Sequence, residues 1–164
     1  MIILFSRSGL TAKRLLDQIS FSRDITLLSN NNKDIDLSLL SEYPVVILSH
    51  REIEEYLLKE SPTKVLLMGY LRILSSEVCK RHQIFNIHPG NIIKHPELKG
   101  KDPVERAFAD NKYKDIGVVL HKVIAEVDEG EILFWEVFRK PKTIELAYKK
   151  IEEIAVNLWK KLLD

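Results

Sequence analysis

Short, uninterrupted apolar segments alternate with segments of helical periodicity through the first half of the chain. The apolar runs lie at residues 2–5, 25–28, 45–48 and 65–68. Between them, as at residues 10–19 and 52–59, apolar side chains recur at the three- to four-residue spacing of a helix face. Strands that are apolar throughout and separated by helices are typical of a parallel sheet covered on both faces. The pattern therefore predicts repeated βαβ units with right-handed crossovers.

The second half of the chain has a different pattern. Residues 83–88 predict one more buried strand, and a loop at 91–102 leads to a helix at 103–109 with Asp102 as its N-cap. Two β-rich segments, 117–127 and 131–138, flank a turn or short loop at residues 128–130. Thr143 caps a final helix whose apolar residues lie on one stripe. Together the elements predict a single α/β domain over residues 1–164. It has a Rossmann-like, mostly parallel sheet with helices on both faces, a hairpin-like segment and a final helix.

Composition and charge argue against several classes of partner and site. The 25 Lys and Arg against 24 Asp and Glu give a net charge of +1, so nothing favours nucleic acid or an anionic membrane as a partner. The single cysteine, Cys79, excludes an internal disulfide framework and a cysteine-based zinc site. No apolar run approaches the roughly 18 residues of a membrane span, and the first residues lack the basic leader of a signal peptide. We therefore expect a cytoplasmic protein, and His50, His82 and His95 show no metal-ligand spacing.

The densest group of polar residues lies at the end of the predicted strand 83–88. Asn86 and His88 are two positions apart, so both side chains face the same side of the sheet. They stand at the carboxyl end of the strand, where open α/β sheets bind ligands. An amide and an imidazole that converge there can stabilise an oxyanion and donate a proton. Asp128 adds a carboxylate that would favour the protonated form of His88, although the residue alone is typical of a turn.

Several spaced motifs resemble the folate-dependent formyltransferases. They are Val65–Ser75, Phe85–Pro89, Gly100–Asp102, Gly117–His121 and Asp128–Gly130, and they occur in that family's order. Within the family they are most similar to the branch that formylates glycinamide ribonucleotide in purine biosynthesis. The resemblance implies that Asn86, His88 and Asp128 form the catalytic triad. It also implies that 10-formyltetrahydrofolate is the formyl donor, with no metal and no covalent intermediate. His121 matches a family histidine and is interpreted as structural support.

The same resemblance assigns the binding residues. Arg72, Ile73 and Leu74 match the segment that lines the pterin pocket, and the loop 124–128 matches its other wall, with Ile124 and Glu126 as contacts. From residue type alone, Ile73 and Leu74 are typical of core. The acceptor side comprises the first βα turn, Pro89 beside the catalytic pair, and Glu152, which resembles a glutamate that holds ribose hydroxyls. In the turn the assigned residues are Ser6, Arg7, Ser8, Gly9 and Thr11.

That turn departs from the family pattern. It is poorer in glycine, and Leu10–Thr11 stands where the family has a Ser–Asn pair. A phosphate bound there would use backbone amides at the start of the helix, with Arg7 adding a charge-assisted contact. Two other functions stay open. One is formyl transfer to a different amine, such as a nucleotide-linked amino sugar, and the other is a folate-binding relative without turnover. A homodimer is also left open.

Overall fold

A computed structural model of the protein describes residues 1–19, 24–31 and 33–164. Its centre is a seven-stranded sheet in the order β3-β2-β1-β4-β5-β6-β7. The first five strands pair in parallel, whereas β6 runs antiparallel to both β5 and β7. The strands are β1 (Ile2–Phe5), β2 (Thr26–Ser29), β3 (Val45–Ile47), β4 (Val65–Leu67), β5 (Ile84–His88), β6 (Asp115–Lys122) and β7 (Ile132–Arg139).

Helices follow the strands and cover the sheet. They are α1 (Leu10–Leu16), α2 (Leu37–Glu42), α3 (His50–Lys59), α4 (Ser76–Arg81), α5 (Pro103–Ala109) and α6 (Ile144–Leu163), with a 3-10 helix at Pro96–Leu98. Among the described residues, none of the helices is long and apolar enough to cross a membrane.

Two apolar cores lie on opposite faces of the sheet because successive strand residues point to opposite sides. Ile3 and Phe5 of β1 pack in a core that includes residues of α1, α5 and α6. Ile2 and Leu4 pack in a second core with residues of α3 and α4. All four side chains of β1 are at least 96% buried, as a central strand covered on both faces requires. The predicted fold class is thus confirmed.

The strand order places the crevice of the sheet between β1 and β4. The chain runs outward from β1 to β2 and β3, then returns to β4 and continues to β5. At such a reversal the loops after the two central strands diverge, which opens a ligand crevice at the carboxyl ends. A cavity of about 310 Å³ opens at this reversal, and its lining residues are Ser6, Asn30, Asn31, Leu71 and Arg72.

One predicted detail is wrong, one is confirmed only in part, and one helix was missed. The connection after β6 is a nine-residue loop at 123–131, longer than the turn expected around 128–130, because β6 ends at Lys122. Asp102 holds the N-cap position of α5, but its φ of 50° places it in the left-handed region and its side chain makes no capping bond. The helix α2 was not predicted, although Asp36 caps it through bonds from Ser38 and Leu39 amides. The predicted cap of α6, Thr143, is confirmed by its bond from the Leu146 amide.

Candidate active site

Asn86 and His88 lie on β5 with their side chains on one face, as the two-residue spacing predicts. Cross-strand register places His121 of β6 directly opposite Asn86, and Val119 opposite His88. Asn86 Nδ2 is 3.4 Å from His121 Nε2. Among the described residues this is the one hydrogen-bond contact of the Asn86 side chain, and the residue is half-buried. The amide therefore keeps donor and acceptor capacity for a ligand.

Asp128 brings the β6–β7 loop back onto the two histidines. Its φ of 55° turns the backbone so that the carboxylate faces inward, and the side chain is 8% exposed. Oδ2 lies 3.1 Å from His88 Nδ1 and accepts a 2.8 Å bond from the Gly100 amide. Oδ1 lies 3.4 Å from His121 Nε2. The carboxylate thus joins β5, β6 and the loop after the 3-10 helix.

Electrostatics keep this carboxylate charged. Burial raises the pKa of Asp128, but hydrogen bonds from His121 and His88, the charge of His88 and the Gly100 amide together outweigh burial. The net effect holds the pKa of Asp128 well below its usual range. A negative charge therefore stands beside both imidazoles at neutral pH.

Both ring nitrogens of His88 face oxygen acceptors. Nε2 is 2.9 Å from the Leu98 carbonyl, and Nδ1 is 3.1 Å from Asp128. Only the doubly protonated ring donates to both oxygens. The side chain is 5% exposed and Gly90 packs tightly against it, since a Cβ at Gly90 would lie 2.8 Å from Nε2. A substrate oxygen would thus have to replace the Leu98 carbonyl to receive the Nε2 proton.

His121 belongs to this cluster more closely than its predicted supporting role suggests. Its Nδ1 is 2.8 Å from the Lys122 carbonyl, so Nδ1 carries the proton in the neutral ring. Nε2 can then accept from Asn86, or, when protonated, donate to Asp128. The β6 register against Asn86 could have indicated this contact from sequence, because both residues face the same side.

The predicted pterin-pocket residues divide into exposed and buried. Ile73 is 69% exposed and Ile124 is 42% exposed, whereas Leu74 is 4% exposed and belongs to the core. The core interpretation thus holds for Leu74 and fails for Ile73. Arg72 and Glu126 are also exposed. Val123, next to Ile124, packs on the core that contains Tyr70 and Leu74, so the loop after β6 lies beside the segment after β4.

The β1–α1 turn is organised by its own hydrogen bonds. Ser6 Oγ donates to Asn30 Oδ1 and accepts from the Leu71 amide, which links the turn to the segment after β4. Ser8 Oγ accepts from the Leu10 amide. Gly9 has a φ of 74°, and a Cβ there would meet the side chains of Leu39 and Phe5, so glycine is required.

Arg7 points from this turn toward the end helices. The residue is exposed, and its positive charge acts on Tyr148 of α6. Burial, together with a bond to Glu105 of α5, raises the pKa of Tyr148 to about 12, and Arg7 partly offsets that rise. Tyr148 and Glu105 were not singled out from sequence because neither lies in a motif. Thr11, the next predicted residue, is the second residue of α1.

Glu152 is not joined to the Asn86–Asp128 cluster. Its carboxylate forms a 2.7 Å ion pair with Arg14 of α1, beside a cavity of about 320 Å³ between α1 and α6. Pro89, in contrast, directly follows His88 and is half-buried at the end of β5.

Two solved structures illustrate the likeness in fold. The phosphoribosylglycinamide formyltransferase of Streptococcus pneumoniae superposes with a TM-score of 0.82 at 20% identity, covering 99% of this chain and 98% of that one. Glycinamide ribonucleotide transformylase 1 of Symbiobacterium toebii also gives 0.82, at 21% identity, covering 98% and 83%. At these identities the likeness establishes the fold alone.

Curated relatives match at higher identity over part of the chain. The phosphoribosylglycinamide formyltransferase of Dictyostelium discoideum is 37% identical over 79 residues, which is 42% of this chain and 37% of the relative. The enzyme of that name from Schizosaccharomyces pombe is 37% identical over 87 residues, or 49% and 41%. The chain thus spans about two-fifths of the length of the curated relatives that it matches.

The family model described as "Formyl transferase" matches residues 4–159. That span runs from β1 to α6 and includes Asn86, His88, His121 and Asp128. Because the match covers nearly the whole chain and agrees with the fold, the protein belongs to the formyl transferase family.

Proposed function

We propose that this protein transfers a formyl group from 10-formyltetrahydrofolate to the amine of glycinamide ribonucleotide. The observation that carries the proposal is the hydrogen-bonded cluster of Asn86, His121, Asp128 and His88 at the carboxyl end of β5. It combines an amide with unused hydrogen-bonding capacity, an imidazole that faces acceptors at both nitrogens and a charged carboxylate, which suits acyl transfer through an oxyanion.

The cluster accounts for the carbon–oxygen chemistry of the reaction. The acceptor amine attacks the formyl carbon, and the formyl C=O bond opens to a single bond with negative charge on oxygen. Asn86 Nδ2–H donates to that oxygen. The oxyanion is a stronger acceptor than the neutral Leu98 carbonyl. His88 Nε2–H therefore donates to the oxyanion instead of to the carbonyl. One such donor contributes about 3 kcal/mol to the transition state.

Proton movement completes the reaction. The attacking nitrogen loses a proton, the C=O bond forms again, and the bond between the formyl carbon and the folate nitrogen breaks as that nitrogen gains a proton. Asp128 Oδ2, 3.1 Å from His88 Nδ1, fixes the orientation of the imidazole. A water held by the carboxylate can carry the proton between the two nitrogens.

The formyl donor fits the exposed apolar residues beside the cluster. Ile73 and Ile124 expose most or much of their side chains on adjacent segments, and the flat pterin ring would remove both from water. Backbone groups of residues 72–74 supply hydrogen bonds to the ring, with Arg72 and Glu126 at its edge. Burial of exposed isoleucine provides a binding contribution of about 25 cal/mol per Å² of apolar surface removed from water.

The acceptor lies on the other side of the cluster. We place its phosphate against the turn of Ser6, Arg7, Ser8, Gly9 and Thr11. This turn lacks a second glycine that would let the backbone approach the phosphate closely, and Arg7 supplies a charged contact instead. Pro89 bounds the amine end. Glu152 reaches the ribose hydroxyls only if it leaves Arg14, which makes it the weakest contact in this assignment.

A second acceptor class is favoured by the same turn. Ser8 Oγ accepts from the Leu10 amide at the start of α1, and Glu152 is paired with Arg14, so two groups expected to bind glycinamide ribonucleotide are already engaged. In an amino sugar on a nucleotide carrier the diphosphate and ribose lie farther from the reacting amine, so this acceptor need not use these two groups. A folate-binding relative without turnover is the third alternative.

A panel of amines with 10-formyltetrahydrofolate separates these alternatives. Release of tetrahydrofolate is followed with glycinamide ribonucleotide, its unphosphorylated riboside and a nucleotide-linked amino sugar. We expect turnover with the ribonucleotide. Turnover with the amino sugar alone would transfer the assignment to that acceptor, and folate binding with no turnover would establish a non-catalytic relative. His88→Ala, purified in parallel, excludes a contaminating host enzyme.

A further inference from the structure

We propose that Arg106 is a positioning residue for the formyl transfer proposed above. Its guanidinium donates to three successive backbone carbonyls: Nη1 to Glu97 at 2.6 Å, and Nη2 to Leu98 at 3.0 Å and Lys99 at 2.7 Å. The inference rests on the proposed function, since the contacts matter through the residues that they hold in place.

These contacts are unusual for a half-buried arginine. Within the described ranges 1–19, 24–31 and 33–164, no carboxylate forms an ion pair with Arg106, and its Nε is buried without a hydrogen-bond partner. A buried donor without a partner destabilises the folded state. The side chain thus gives up one hydrogen bond, and the planar fork instead binds the carbonyls at the end of the 3-10 helix.

The segment that Arg106 holds contacts both His88 and Asp128. The Leu98 carbonyl accepts from His88 Nε2 at 2.9 Å, and the Gly100 amide donates to Asp128 Oδ2 at 2.8 Å. A shift of this segment would therefore move His88 and Asp128 relative to each other. Displacements of about 1 Å in a catalytic group reduce turnover as much as 100-fold.

Arg106 also gives the Leu98 carbonyl a second donor. When the His88 Nε2 proton turns to the substrate oxyanion, the carbonyl keeps its bond to Arg106 and is not left buried and unpaired. Without the guanidinium, His88 would be the one donor to this carbonyl among the described residues, and it would donate less readily to the substrate. The role thus predicts a loss in kcat with little change in substrate binding.

Arg106→Lys and Arg106→Gln test the proposal on the full chain, with Arg81→Gln as a matched control. Arg81 lies on α4 and pairs with Glu77 at 2.9 Å, away from the cluster. Lysine keeps the charge but lacks the planar fork that donates to these carbonyls from two separate nitrogens. We expect both Arg106 variants to lose about 10- to 100-fold in kcat, with KM for each substrate within about 2-fold. Arg81→Gln should match the wild type.

A second readout does not depend on turnover. In ¹⁵N-labelled protein, the His88 Nε2–H resonance is assigned by its loss in His88→Ala, and we expect it to shift in both Arg106 variants. A wild type without turnover whose Arg106 variants still shift this resonance would defeat the proposed function but leave the positioning contact in place. An unshifted resonance with kcat unchanged in a folded variant would overturn the role of Arg106. So would failure of both variants to fold at 10 °C, because Arg106 would then be a folding residue.

Discussion

The β5 side and the β1 side of the crevice differ in the burial and hydrogen bonding of their candidate functional residues. On the β5 side, Asp128, His88 and His121 are each at least 92% buried in their side chains and joined to one another. On the β1 side, Arg7 is exposed, and Glu152 is paired with Arg14 of α1. In the proposed function, formyl transfer thus uses a buried, hydrogen-bonded cluster, whereas recognition of the acceptor uses exposed side chains.

Because of this difference, the formyl-transfer step and the recognition of the acceptor can be tested separately. Changes in the β5 cluster should lower kcat for every acceptor, because they alter the transition state. Changes in the β1–α1 turn should alter KM for the acceptor and leave the folate constant unchanged. A protein in which both sides responded alike would not fit the assignment.

The largest effect is expected at His88. Replacing His88 with alanine removes both the oxyanion donor and the partner of Asp128, so kcat should fall by about 100-fold or more. The dissociation constant for the folate should stay nearly unchanged, because the loss falls on the transition state. Steady-state kinetics and folate titration measure the two quantities.

His82→Ala serves as the matched histidine control for this prediction. His82 follows α4 and makes no contact with the cluster among the described residues. Its replacement should leave kcat within about 2-fold of the wild type. If His88→Ala retained activity within a few-fold, the imidazole would not be the oxyanion donor and the mechanism would have to be given up.

A smaller effect is expected from crowding His88 rather than removing it. Gly90→Ala places a Cβ 2.8 Å from His88 Nε2 and 3.2 Å from Pro103, and the φ of Gly90 is not in the left-handed region. The ring must therefore shift, and we expect kcat to fall by about 30-fold at unchanged acceptor KM.

Gly69→Ala separates this displacement from a general loss of stability. Gly69 has a φ of 75°, so alanine is strained there, yet its Cβ would meet nothing within 4 Å. Both variants should unfold at lower urea concentration, but only Gly90→Ala should lose kcat. Equal losses of kcat would show that instability, not the position of His88, limits turnover.

On the acceptor side we expect an effect of about 10-fold. Arg7→Ala should raise KM for glycinamide ribonucleotide by that factor, equivalent to one charge-assisted contact of about 1.4 kcal/mol. KM for the folate should not move. An equal weakening for the unphosphorylated riboside would show that Arg7 does not bind a phosphate and would favour a different acceptor.

The fold was predictable from sequence because its central strands carry apolar runs. Strands β1 and β4 are buried at every position, as a sheet covered on both faces requires, and the helices between the strands have apolar residues at helical spacing. The helix α2 escaped prediction because it buries only Leu39 and thus has no apolar stripe. The loop after β6 was misplaced because its apolar residues Ile124 and Val127 are 42% and 47% exposed, not strand residues.

The candidate site was predictable in part. Two-residue spacing on β5 correctly placed Asn86 and His88 on one face. The contact of Asp128 with His88 was predicted only from the family resemblance, because no local pattern links a loop carboxylate to a distant strand. The ion pair of Glu152 with Arg14 and the bonds of Arg106 to carbonyls depend on tertiary packing between helices and loops. Such contacts leave no periodic signal in a sequence.

The smallest expected effect is the pH dependence of stability contributed by Asp128. The pKa of Asp128 is lower in the folded protein than its usual value of about 3.9, because bonds from His121, His88 and Gly100 outweigh burial. At pH values between the folded and unfolded pKa values the unfolded chain binds more protons. The stabilisation by Asp128 is therefore present above about pH 4 and is lost as the pH drops through this window.

The Asp128→Asn variant, whose amide cannot titrate, tests this contribution. The difference in free energy of unfolding between wild type and Asp128→Asn should therefore shrink as the pH falls from about 5 toward 3. Urea denaturation across this range measures it, and Asp34→Asn, on an exposed loop, should keep the wild-type dependence. A difference that stayed the same at pH 5 and pH 3 would show that the bonds from His121, His88 and Gly100 do not lower the pKa of Asp128. The contrast between the bonded β5 side and the exposed β1 side would then lose its electrostatic basis.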